Sequence, residues 1–186
     1  MTETTENDPA TTIPQSATPA LPTSPPVVCD LTGAPDSGEE RLLEYARLLD
    51  TAYLSRERTE KAMRWWLRAG EGIEAWTRDL AARENACCAF MTTTVTLVGD
   101  QVLWEATTID DPAARAVLDL MYELPEQRWS GADEVFDRFV ATTGVPIVTT
   151  DGSATRPATP DEIRSGPTTG SGRPRAPQRF RTPRDA

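Results

Sequence analysis

Residues 72–109, GIEAWTRDLAARENACCAFMTTTVTLVGDQVLWEATTI, decide the fold. In the first half, Ile73, Trp76, Leu80, Arg83 and Cys87 mark one stripe at helical spacing, and Thr77, Ala81, Glu84 and Cys88 mark the adjoining one. That pattern predicts a helix from Gly72 to about Cys88. The second half changes period. Residues 90–98 are β-branched and aromatic, Gly99-Asp100 supplies a short turn, and residues 101–109 resume the β pattern. This predicts a β-hairpin that follows directly on the helix.

Upstream, KAMRWWLRA (61–69) alternates Met63, Trp65 and Leu67 with Arg64, Trp66 and Arg68, and Gly70 and Gly72 close it. The segment is open to either a strand or a helix, and the glycines favour a strand with one wet face. Leu42, Leu43, Tyr45, Ala46, Leu49, Ala52 and Tyr53 recur at three- and four-residue spacing, which predicts a helix fading near Ser55-Arg56. Before it, Val27 to Thr32 is a short β-like run entered from Pro25-Pro26. Downstream, Asp110-Asp111-Pro112 has the chemistry of a helix start, and the helix it opens ends at Pro125. A further amphipathic piece covers about Ala132 to Val140, and residues 144–148 read as an edge strand, where Pro146 is tolerated. The order predicts an α+β fold of ferredoxin-like, split β-α-β type. Its four-stranded sheet would include the strand at 27–32 and carry its helices on one face.

The organisation follows from composition. Residues 1–26 are Thr, Pro, Ser, Ala and acids, too poor in apolar bulk to offset the entropy of ordering, and are expected to be a disordered acidic tail. Residues 151–186 are expected to be a disordered tail rich in Arg, Pro and Gly. Residues 27–150 hold all 5 Trp, 3 Cys and 3 Tyr and are expected to form a single domain. The net charge of −10 is carried by that middle region, the two tails being of opposite sign. An acidic globule makes nucleic acid an improbable partner for the folded part. No apolar run reaches the length of a membrane span, and the first residues lack the basic and apolar regions of a secretory signal. An odd number of cysteines, two of them adjacent, does not make a disulfide framework, so a reduced, cytoplasmic chain is expected.

The inventory of reactive groups is narrow. With no histidine, no Ser-His or Cys-His nucleophile and no His-ligated zinc site can be built within this chain. Sulfur and carboxylates remain. Cys87 and Cys88 sit where the helix meets the hairpin, and Cys29 is the one other thiol. Side chains of consecutive helical residues diverge by about 100°, but at a helix end the backbone can leave that geometry. Thiolates favour soft ions such as Cu(I) and Zn, and by the same softness Hg(II) and trivalent arsenic. Glu84, one turn before Cys88, offers a carboxylate. The opposing reading is that Cys87 packs in the core as a small hydrophobe and Cys88 merely follows.

Cys29-Asp30-Leu31 and Glu84-Asn85-Ala86-Cys87-Cys88-Ala89-Phe90 together resemble a group of small bacterial proteins. In that group an early Cys-x-Leu strand precedes a helix ending in Glu-x-x-Cys-Cys-Pro-Phe, with a β-hairpin behind. Residues 27–124 are covered, and Ala89 stands where the group has Pro. Some of its members are associated with metal or metalloid resistance. The resemblance implies Cys29, Glu84, Cys87 and Cys88 as the site.

Other features read as structure. Trp65-Trp66 and Trp104 suit core and sheet surface, Asp110-Asp111 a helix cap, and Gly70-x-Gly72 lacks the third glycine of a phosphate loop. Three functions are consistent with these residues. The first is thiolate-based binding or sensing of a soft metal or metalloid ion through Cys87 and Cys88, with Cys29 and Glu84. The second is a non-enzymatic interaction module, a homodimer through its sheet face or an adaptor for a protein partner, whose cysteines are structural. A thiol enzyme or redox sensor ranks last, because Arg83 is the one base within a turn of the pair to stabilise a thiolate.

Overall fold

Helix starts are the best-specified points of the chain. A computed structural model describes residues 26–127, 132–151 and 154–166. Ser37 caps helix α1 (Gly38–Ala52) with a reciprocal capping box: its side chain accepts from the Glu40 N–H, and the Glu40 carboxylate accepts from the Ser37 N–H. Asp111 caps α3 (Pro112–Glu123) by accepting from the Ala113 and Ala114 N–H groups, with Pro112 in the first turn. Between them, α2 (Ile73–Cys87) starts at Gly72, whose φ of 76° is in the left-handed region that favours glycine.

The expected hairpin is present as β4 (Met91–Val98) and β5 (Gln101–Thr108), joined at Gly99-Asp100 with Gly99 at φ 62°. Strand β3 (Ala62–Arg68) pairs antiparallel with β5, and β2 (Tyr53–Arg58) pairs with β3, giving the sheet order β2-β3-β5-β4. One face is dry: Met63, Trp65, Leu67, Val102, Trp104 and Ala106 are fully buried under α1, α2 and α3. Trp65 lies opposite Trp104 in the register, and Tyr45 of α1 closes a three-ring cluster with centroid separations of 5.4–5.9 Å. Trp66 and Arg64 point to the other, wetter face.

The fold is thus α+β with helices over one face of a four-stranded antiparallel sheet, but the strands differ from those expected. The run at 27–32 does not enter this sheet. Its paired part, β1 (Cys29–Asp30), lies parallel to β6 (Ile147–Asp151), which also pairs with β7 (Ala154–Pro157) in a second sheet of order β1-β6-β7. The place expected for it is taken by β2, six residues that follow α1 without a loop and that helical periodicity had carried to Ser55-Arg56. The ferredoxin-like order is therefore not what β1 and β2 form. The expected edge strand near 144–148 is likewise internal: β6 lies between β1 and β7, with Pro146 just before it and its carbonyl accepting from the Cys29 N–H.

The remaining helices are α4 (Ala132–Thr143), packed on α3, and α5 (Pro160–Ser165). The domain boundary expected at 150 falls inside β6. Thr159 and Glu162 form a second capping box at α5, and Ile163 packs against the core, so residues 154–166 belong to the fold. The expected tail at 1–26, apart from Pro26, and the remainder of the C-terminal tail lie outside the described residues. No helix among the described residues is long and apolar enough to cross a membrane.

Candidate functional site

Two elements deliver the three thiols to a single point, β1 one of them and the end of α2 the other two. Cys29 is fixed by the parallel pairing of β1 with β6: its N–H donates to Pro146 O at 3.0 Å, and Leu31 N–H donates to Val148 O at 2.8 Å. Cys87 is the last residue of α2 and Cys88 its C-cap. The Cys88 backbone has left helical geometry (φ −119°, ψ 78°) while its N–H still bonds Glu84 O at 2.8 Å. That departure swings Cys88 off the helical bearing, which is how adjacent side chains come to face one place. The Cys88 carbonyl then accepts from Met91 N–H at 2.9 Å, closing the turn into β4.

Asn85 holds this turn against the sheet. β4 is an edge strand, so its outer backbone groups need partners. The Asn85 side chain accepts from Thr93 N–H at 2.7 Å and donates to Thr93 O at 3.0 Å, replacing a neighbouring strand. The Thr93 hydroxyl donates to Ala81 O at 2.8 Å, a second tie between α2 and β4.

The result is a three-sulfur cluster. Cys29 Sγ and Cys88 Sγ are 3.1 Å apart, and all three sulfurs lie within 4.8 Å of one another. All are free thiols. Cys29 and Cys88 are buried, and Cys87 is half-buried. The early cysteine and the vicinal pair, 59 residues apart from Cys29 to Cys88, therefore converge. The opposing reading put Cys87 in the core with Cys88 merely following; Cys88 and Cys29 are the core cysteines and Cys87 is half-buried, and packing alone does not account for the shared focus.

Electrostatics single out Cys87. The neighbouring Cys29 and Cys88 thiols, with the nearby Arg41 charge, outweigh burial and lower its pKa to about 4. Cys29 and Cys88 are pushed well above the ordinary thiol range, each chiefly through the hydrogen bond it gives to a neighbouring sulfur, with burial acting the same way. One negative charge shared among three sulfurs is what such a small buried group sustains.

Arg41 is the positive pole of the site, and the sequence reading missed it. It reaches from α1, donating to Glu84 Oε1 at 3.1 Å and to both Asp36 oxygens at 2.6 and 3.0 Å. Burial opposes its charge, but Asp36 and Glu84 outweigh burial and keep it protonated. The one available signal was its place four residues before Tyr45, on the buried face of α1. Arg83, the base that the sequence offered, turns away instead to Asp36, Glu44 and Asp79. Glu84 is beside the sulfurs but is not among the donors grouped within 4.8 Å; its carboxylate pairs with Arg41. Burial pushes its pKa up, against Arg41 and with the Cys87 charge. The Tyr45 hydroxyl is buried beside this pair without a hydrogen bond of good geometry, and burial raises its pKa too.

The cluster opens on a cavity of about 130 Å³. Its wall includes all three cysteines, Arg41, Glu84 and Tyr45, and is otherwise mainly aliphatic, with Leu42, Val117, Leu120, Met121, Leu124 and Phe139 prominent.

No protein-family model matches this chain, and neither a curated protein nor a solved structure matches it. Its function has to be argued from these residues.

Proposed function

We propose that this protein binds or senses a soft metal or metalloid ion through the thiolates of Cys29, Cys87 and Cys88. The observation that carries the reading is the grouping of the three sulfurs within 4.8 Å. Sulfurs bound at about 2.3 Å to a four-coordinate ion stand about 3.8 Å apart, inside the range from 3.1 to 4.8 Å. The donor set is all sulfur, and thiolate selects soft ions. Cys87 supplies a thiolate before any ion arrives, and an ion would displace the protons that Cys29 and Cys88 retain. Glu84 acts through Arg41, which it orients toward the sulfurs, rather than as a primary ligand. Three closely spaced thiols that must stay reduced to bind an ion suit a reducing compartment such as the cytoplasm. The activity is binding, with no catalytic step assigned.

The test is titration of the reduced protein with Hg(II) or arsenite, following ligand-to-ion charge-transfer absorbance in the ultraviolet. One equivalent should saturate wild type, and Cys87→Ser/Cys88→Ser should abolish the signal. Equal uptake by both would contradict the reading and favour an interaction module with structural cysteines.

A second reading is favoured by the 3.1 Å contact between Cys29 and Cys88. Hydrogen peroxide could oxidise the pair to a disulfide, each thiol giving up one proton and one electron while the peroxide becomes two waters. A mass loss of two hydrogens under mild peroxide, reversed by dithiothreitol, would support it.

A further inference from the structure

A bare ion has no use for the space beside the sulfurs. The cavity measures about 130 Å³ and shares its wall with Cys29, Cys87 and Cys88. An apolar cavity of roughly 150 Å³ takes up benzene. The charged groups in the wall are already paired: Asp36 and Glu84 with Arg41, and Asp36 also with Arg83. The rest of the wall is mainly apolar and includes Leu42, Val117, Leu120, Met121, Leu124 and Phe139. Resting on the thiolate-binding reading above, we infer that the ligand class is an organic derivative of the trivalent metalloid, a mono-aryl or mono-alkyl arsenical. Two of the thiols take the arsenic, and the carbon substituent fills the apolar cavity.

The exchange balances without an oxidant. An organoarsonous acid, R–As(OH)₂, forms two As–S bonds as two As–O bonds break. The Cys87 thiolate adds first, and a thiol of Cys29 or Cys88 follows. Both hydroxides leave as water, one taking the thiol proton and the other a proton from solvent. Arsenic stays trivalent. The adduct R–As(S–Cys)₂ is neutral and places its carbon substituent against the apolar wall of the cavity. A bare divalent ion on three thiolates would leave a net negative charge in the same place.

The experiment compares phenylarsine oxide, methylarsonous acid and arsenite on the reduced full-length protein. Affinities are read by competition against dithiothreitol, so that the intrinsic preference of any dithiol for each compound is divided out. Leu124→Phe and Leu42→Phe, both at half-buried wall positions, narrow the cavity while keeping all three thiols in the chain, and far-ultraviolet circular dichroism checks that each folds. Wild type should favour the phenyl compound over arsenite by roughly tenfold or more beyond dithiothreitol. Either filling variant should erase that margin while leaving arsenite binding unchanged. Binding of all three compounds with the dithiothreitol ratio, unaffected by both variants, would overturn this inference and leave the thiolate reading standing. Absence of binding by any of them would overturn both.

Discussion

At the scale of single residues, the site is a problem in charge. Cys87 sits at the C-terminal end of α2, where the helix dipole disfavours an anion, yet its pKa falls to about 4. Thiol donors and Arg41 provide what the dipole cannot. Thiolate absorbance near 240 nm should therefore be present in the native protein at pH 7 and disappear in Cys87→Ser; an unchanged native spectrum would place the thiolate elsewhere or nowhere. Arg41 neutralises Asp36 and Glu84 in a buried setting, and removing one partner of a buried pair costs about 3–5 kcal/mol. Arg83 still holds Asp36 in such a variant, so Arg41→Met is expected toward the lower end of that range in urea unfolding. It should also slow alkylation of Cys87 at pH 6, since the thiolate loses its nearest cation. The sequence made the cysteines conspicuous by their scarcity. It could not rank Arg41 above Arg83, because one lies within a turn of the pair and the other arrives by tertiary packing from α1.

At the scale of elements, the turn from α2 into β4 positions two of the three sulfurs, and Asn85 is its latch. Asn85→Ala leaves the Thr93 N–H and C=O on an edge strand without their partners, a loss of about 1–3 kcal/mol. Hydrogen exchange at Thr93 should speed up in that variant well before global unfolding, and protection equal to wild type would mean that the latch is dispensable. Elements whose period is strong were legible: α2, α3 and the hairpin stand where their patterns put them, the strand alternative for 61–69 prevailed as β3, and α1 starts as expected but ends at Ala52. The misses share a physical cause. Tyr53 to Arg58 continues the α1 register in sequence, but its side chains lie along the sheet edge as β2, and pairing with β3 overrides local periodicity. β1 and β6 are short runs whose partners are far away in the chain, and no local pattern says which sheet such a strand will join.

At the scale of the whole molecule, two sheets and α2 meet at the thiols, so the site reports on the integrity of the fold. Trp65 and Trp104 are fully buried at the centre of the larger sheet, and Trp65→Ala should cost about 3–5 kcal/mol. The pH dependence of stability carries the mark of the site. A thiol ordinarily titrates near 8.5, whereas native Cys87 titrates at about 4. The unfolded chain thus binds the extra proton between those values, and stability from Cys87 is present above the ordinary value and lost as pH falls toward 4. Asp36, held below its usual range by Arg41 and Arg83 against burial, acts in the same direction at lower pH. Cys29 and Cys88, with raised values, contribute below the ordinary thiol pKa and lose that contribution in alkali. The urea midpoint should rise from pH 5 to pH 8 in wild type and flatten in Cys87→Ser; parallel curves would refute a native thiolate. That the cysteines would be the conspicuous reactive groups of the central region was readable from composition. Convergence of Cys29 on the pair was not, because it depends on β1 joining β6, a pairing separated by more than a hundred residues.

The most direct examination is X-ray absorption at the arsenic edge of the arsenite-loaded, reduced protein. Three sulfur neighbours and no oxygen are predicted for wild type, falling to two sulfurs in Cys29→Ser. An oxygen-dominated shell in wild type, or a shell indifferent to the loss of Cys29, would contradict a site built from all three thiols.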